Sequence, residues 1–149
     1  MDMHYVVEKH FWALDIDYMQ KDTEKKVLTP DYMAVLDTTT PFVHGPKAII
    51  SPLIAGITVA EDCSNVSTLP TIRFSIDGAS YTLHGDDYVK RANGKCMMGI
   101  VATDATDKYI HLGSPFIIKH SPVNFNYGQG YVQFTRPASE AEEVEQFIQ

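Results

Sequence analysis

Apolar and polar residues alternate over short distances along this chain. In Ala13-Leu-Asp-Ile-Asp-Tyr-Met19, the acids Asp15 and Asp17 alternate with Leu14, Ile16 and Tyr18, the period of two that marks a half-exposed strand. One long or bulged strand is expected from Tyr5 to Met19. Alternation puts both acids on a solvent face, so they read as strand surface, not as a metal or acid–base pair. Further strands are expected at Val27–Pro30, Tyr32–Asp37, Thr71–Ile76, Ala79–Leu83, Cys96–Ala102 and Tyr109–Leu112. Asp77-Gly78 is a hairpin turn, and Gly128-Gln-Gly130 turns a last hairpin. Polar stretches at 20–26, 91–95 and 103–108 read as turns and loops. Helices are few. Gly45-Pro46 opens one through about Ile54, with proline in the first turn, where its missing N–H does no harm. Pro52 then shortens or kinks it. Ser114-Pro115 starts a second, through His120, and 85–90 holds at most a single turn. Many short strands between turn signals imply an all-β, barrel-like lobe with minor short helices.

The last residues break this pattern. Ser139 and Glu142 have capping-box spacing, and Val144, Phe147 and Ile148 form a small apolar stripe at helical spacing. Residues 1–137 therefore read as one domain, and 138–149 as an acidic extension. That extension is either a frayed tail or a docking helix.

Composition narrows the class. Of 149 residues, 44% are hydrophobic and 11% aromatic, which excludes a disordered chain and allows one domain with a substantial core. The formal net charge of −7 gives no support to a nucleic-acid partner. No apolar run reaches the length that spans a bilayer, and the opening residues do not form a secretory leader. The two cysteines could be a metal half-site, two free thiols or one disulfide. Neither has a Cys or His nearby at zinc-type spacing. The six histidines are dispersed and read as ordinary polar residues, so no metal or cofactor is expected. Asn65-Val-Ser67 is a glycosylation sequon.

The stretch with most chemistry begins at Met33. An apolar strand delivers Asp37 into Thr38, Thr39 and Thr40, followed by Pro41-Phe-Val-His-Gly-Pro46. A carboxylate at the end of a buried strand is costly to ionise unless donors surround it, and the threonines could supply hydroxyl and amide donors. Asp37 is either a cap for the turn and the helix after it or a site carboxylate.

Asp37-Thr38-Thr39-Thr40 and the following run to Gly45-Pro46 resemble the second catalytic loop of pepsin-like aspartic proteases, where a strand ends in Asp-Thr-Gly-Thr/Ser. Phe11-Trp-Ala-Leu-Asp-Ile-Asp17 resembles the strand entering the carboxy-terminal lobe of that family. Leu69-Pro-Thr-Ile-Arg-Phe-Ser-Ile-Asp-Gly78 with Tyr81-Thr-Leu resembles its mid-lobe hairpin. Ile110-His-Leu-Gly113 resembles the element behind the catalytic loop, and Val123 to Phe134 its closing hairpin. The resemblance implies a single pepsin-like lobe, with Asp37 as the catalytic aspartate position and Thr38, Thr39, Thr40 and Gly113 as motif neighbours. It also implies a Cys63–Cys96 disulfide, and with it an oxidising compartment such as a secretory, lumenal or intermembrane space.

Thr39 stands where the family has glycine, and no first Asp-Thr-Gly or flap tyrosine is recognisable. A branched side chain there is expected to crowd the loop, the more so if φ is positive. Crowding of an ångström or two around a catalytic water can cost roughly a hundredfold in rate. The implied function is a non-catalytic lobe acting as a structural or protein-binding subunit, with hetero-assembly favoured over a homodimer. The competing reading is a half-enzyme, active only as a homodimer or with a separate amino lobe. Either way, a protein partner is expected on the face that a second lobe would cover.

Overall fold

The computed structural model describes residues 2–5 and 12–134. Phe11 and the acidic extension from 138 lie outside them. The first strands are β1 (Asp2–Tyr5) and β2 (Ala13–Lys21); residues 6–11 of the strand expected from Tyr5 to Met19 lie outside the described residues. The register of β2 shifts between Ile16 and Tyr18, so the expected bulge is present. Its inward positions, Leu14, Ile16 and Met19, are buried, while Asp15 and Asp17 are exposed, as period-two alternation requires.

The main sheet grows on both sides of β2. The first flank carries β6 (Ile72–Ile76) and β7 (Ala79–Leu83), joined through Asp77-Gly78. Both turn residues have positive φ, 51° and 79°, the type I′ geometry that matches strand twist. A short β3 (Val27–Leu28) also pairs with β2. The other flank carries β4 (Met33–Leu36), antiparallel to β2.

Beyond β4 the connections become non-local. β11 (Tyr109–Leu112) runs parallel to β4 and antiparallel to β5 (Val43–Pro46). β10 (Ile100–Thr103) then pairs parallel with β5 at the sheet edge. The chain leaving β4 therefore loops through Asp37 and returns as β5, with β11 inserted between the two. Here the structure refines the sequence reading: Gly45-Pro46 ends β5, and the expected helix follows directly with Pro46 as its N-cap residue. Local turn preference yields to pairing on both sides, with Val43, Gly45 and Pro46 all buried. The helix begins one residue later, as α1 (Lys47–Ile54), and keeps Pro52 inside it.

Two corrections concern 89–102. The expected polar loop at 91–95 is the tip of a hairpin between β8 (Val89–Ala92) and β9 (Lys95–Met98), turning at Asn93-Gly94. The expected strand from Cys96 to Ala102 breaks at Gly99, where a Cβ would lie 1.9 Å from the Tyr88 carbonyl oxygen. Short helical turns follow at Val66–Thr68, at α2 (Gly85–Tyr88) and at α3 (Ser114–Lys119).

Behind the main sheet, Phe74, Tyr81, Phe116 and Phe134 form a fully buried aromatic centre with edge-to-face contacts, each such pair adding to the area it buries. Phe134 belongs to β13 (Tyr131–Phe134), the middle strand of a separate sheet flanked by β1 and β12 (Asn124–Asn126). His4 of β1 is buried against this centre, with its ring on Tyr81 Oη and Asp77. The architecture is the all-β lobe with minor short helices that the strand spacing implied.

Candidate active-site loop

Asp37 is placed by the strands on both sides of it. Its amide donates to the Leu112 carbonyl at 3.1 Å, extending the β4–β11 ladder one residue. Past the loop, Gly113 and Ser114 donate to the carbonyls of Phe42 and Thr40 at 3.1 and 3.0 Å. Gly113 is therefore the seat of the loop: a Cβ there would lie 2.2 Å from Phe42 O and 2.4 Å from Thr40 O. The Thr40 hydroxyl accepts from the Phe42 amide at 3.2 Å and pins the same bend.

The Asp37 carboxylate is engaged through both oxygens. Oδ1 accepts from the Thr39 amide at 2.9 Å and from the Thr39 hydroxyl at 2.5 Å. Oδ2 meets His111 Nδ1 at 3.2 Å. Thr39 keeps a negative φ, since the positive-φ residues outside glycine are Asp22, Asp31, Cys63, Asp77 and Asn93 among those described. Thr39 therefore carries none of the backbone strain that a positive φ would bring. Its side chain turns to the carboxylate and adds a donor the family's glycine cannot supply. That hydroxyl is the main reason the Asp37 carboxyl is held below the ordinary carboxylate range. Partial burial opposes it, and the Thr39 amide and His111 reinforce it. Of the three threonines, Thr39 supplies the hydroxyl and the amide that reach Asp37.

Sequence reasoning missed the histidines. His44 of β5 and His111 of β11 are paired across the strands, and their rings stack with centroids 4.5 Å apart and planes 12° from parallel. The two rings and the Asp37 carboxylate form one partly buried cluster. Burial, and then the neighbouring His111, push the His44 imidazole below its ordinary value; Asp37 and Asp107 act the other way. Sequence spacing carries no trace of the cluster, since Asp37 and His111 are 74 positions apart.

Several other aspartates have partners of their own. Asp17 accepts from the Ser75 hydroxyl and the Gly78 amide, holding the β6–β7 turn. Asp87 accepts from the His84 amide and from Lys119 Nζ. Asp86, Asp104 and Asp107 meet Arg91, Lys47 and the Tyr109 amide. Asn65 of the sequon accepts from the Ala60 amide and donates to the Thr58 carbonyl, so its amide shapes the loop it sits in. Cys63 and Cys96 are bridged, with Cα atoms 5.2 Å apart, which closes the alternatives of free thiols and a metal half-site and points to an oxidising compartment.

The family model for eukaryotic aspartyl protease matches residues 1–136. The chain belongs to the eukaryotic aspartyl protease family. It is 28% identical to pepsin A of Bos taurus over 134 residues, covering 82% of this chain and 36% of the relative. It is 30% identical to cathepsin D of Clupea harengus over 118 residues, 69% of this chain and 30% of the relative. Chymosin of Callithrix jacchus matches at 28% over 126 residues, 79% and 33% of the two chains. The chain thus spans about a third of the length of these aspartyl proteases. No helix among the described residues is long and apolar enough to cross a membrane.

Proposed function

We propose that this aspartyl protease lobe does not hydrolyse peptides and serves as a structural or protein-binding subunit of a larger assembly. The observation that carries this reading is the Asp37 carboxylate, with Thr39 on one oxygen and His111 on the other. Pepsin-like hydrolysis uses two carboxylates that share one proton around a water. A second carboxylate approaching Oδ2 would have to displace the His111 ring. Among the described residues, Thr39 and His111 are the hydrogen-bond partners of this group.

The partner's docking surface is proposed on the three-stranded sheet, where β1 and β12 are the edge strands among the described residues and Met3 and Tyr127 are 45% and 83% exposed. Open strand edges and exposed aromatics are the usual invitation to a partner. An oxidising setting, secretory, lumenal or intermembrane, goes with the bridge.

The half-enzyme reading keeps one specific support. The loop frame is intact: Gly113 is seated and the Thr39 amide points at Oδ1. A carboxylate from a second copy, or from a separate amino lobe, would find a shaped loop to meet. The native mass of the particle containing this chain, taken from its source without overexpression, separates the readings. The expected result is a mass well above two copies, with other polypeptides present. A free monomer would remove the subunit reading, and two copies alone would favour the half-enzyme.

A further inference from the structure

From the geometry we infer that Asp37, His44 and His111 form a binding site for a first-row divalent metal ion of the Zn2+ type. The inference rests on the arrangement of these three side chains alone and holds under either reading of the lobe's function.

One edge of the site already has metal-ligand spacing. His111 Nδ1 and Asp37 Oδ2 lie 3.2 Å apart. Two ligand atoms about 2.0–2.1 Å from a shared tetrahedral zinc are separated by roughly 3.3 Å. The ligand atoms of all three residues lie within 4.8 Å of one another. Closing the third corner requires the His44 ring to move closer to the other two ligands. The two imidazoles are stacked nearly parallel, so sharing one ion requires one ring to turn out of the stack. Both His44 and His111 sit on paired strands, where opposed side chains are within reach of one another by construction.

The carboxylate is oriented for this role. Thr39 holds Oδ1 through its amide and hydroxyl, and an ion on Oδ2 would take the place of its contact with His111 Nδ1. Hydrogen bonds that orient a ligand in this way are the usual support of a metal site. Two imidazoles and one carboxylate suit zinc, copper, nickel or cobalt. Calcium and magnesium prefer all-oxygen sets. Asp37 and His111 are 23% and 27% exposed, so an ion has an entry path and the fourth position is open to water.

The test is a titration of the chelator-stripped full chain with Zn2+ by calorimetry, and with Co2+ by visible absorption. We expect one ion per chain, and a loss of at least about tenfold in affinity for His44→Ala, His111→Ala and Asp37→Asn. In case a variant folds poorly, the unaltered protein provides a second readout. Zn2+ shifts the imidazole resonances of His44 and His111 and leaves those of His84 in place. Absence of binding below millimolar metal would overturn the inference. So would tight binding that survives both histidine substitutions, or a zinc response that leaves the His44 and His111 resonances unmoved.

Discussion

Gly113→Ala is expected to destabilise the lobe by more than about 4 kcal/mol, which places it among the exceptional single substitutions. The new methyl would sit 2.2 Å from Phe42 O, 2.4 Å from Thr40 O and 2.7 Å from Thr40 Cγ2. Two of these are backbone atoms on the Asp37 loop, so no rotamer change relieves the overlap. The loop must move off β11 and lose the Gly113 and Ser114 hydrogen bonds to Phe42 and Thr40. Domains of this size have about 5–15 kcal/mol in total, so much of the lobe's stability goes with it. Urea denaturation checks this through the midpoint at unchanged m-value. A midpoint equal to the unaltered protein's would mean the loop does not rest on Gly113.

Removing the bridge is the second large effect. Cys63 and Cys96 close a loop of sequence separation 33, for which chain entropy gives roughly 3–4 kcal/mol of stabilisation. The loss should be felt first in the β8–β9 hairpin, which among the described residues pairs only with itself. Besides the bridge, the Cys96 amide bond to Glu61 O and the Lys95–Glu61 ion pair tie β9 to the loop at 61–68; the ion pair is exposed and contributes little. The double variant Cys63→Ala/Cys96→Ala should lower the denaturation midpoint, and amides of 89–98 should exchange faster with solvent. A midpoint and exchange pattern unaltered by the substitution would place the stabilisation of this region elsewhere.

What was legible in the sequence was local. Asp77-Gly78 specified its turn because two successive positive φ values leave few residue choices. Leu14, Ile16, Asp15 and Asp17 specified their faces through the period of two. Asp37 was legible because the residues around it resemble a family motif in order and spacing. What was not legible depended on pairing between distant strands. Val43–Pro46 is a strand because β10 and β11 flank it, and nothing in Val-His-Gly-Pro announces that. The break at Gly99 is set by the Tyr88 carbonyl across the hairpin. The His44–His111 stack exists only through the β5–β11 register, which is why two histidines that read as ordinary polar residues meet beside the aspartate. Thr39 was expected to crowd the loop. The conformation it adopts, unknowable from its identity alone, makes it a donor.

In the proposed function Asp37 is a held carboxylate in place of half a catalytic pair. The most direct measurement is cleavage of a broad peptide library at acid pH by the protein as isolated from its source, beside the same protein carrying Asp37→Asn. No cleavage above background in either preparation is the expected result. Peptide cleavage that disappears with Asp37→Asn would contradict the account and make this lobe part of a working protease.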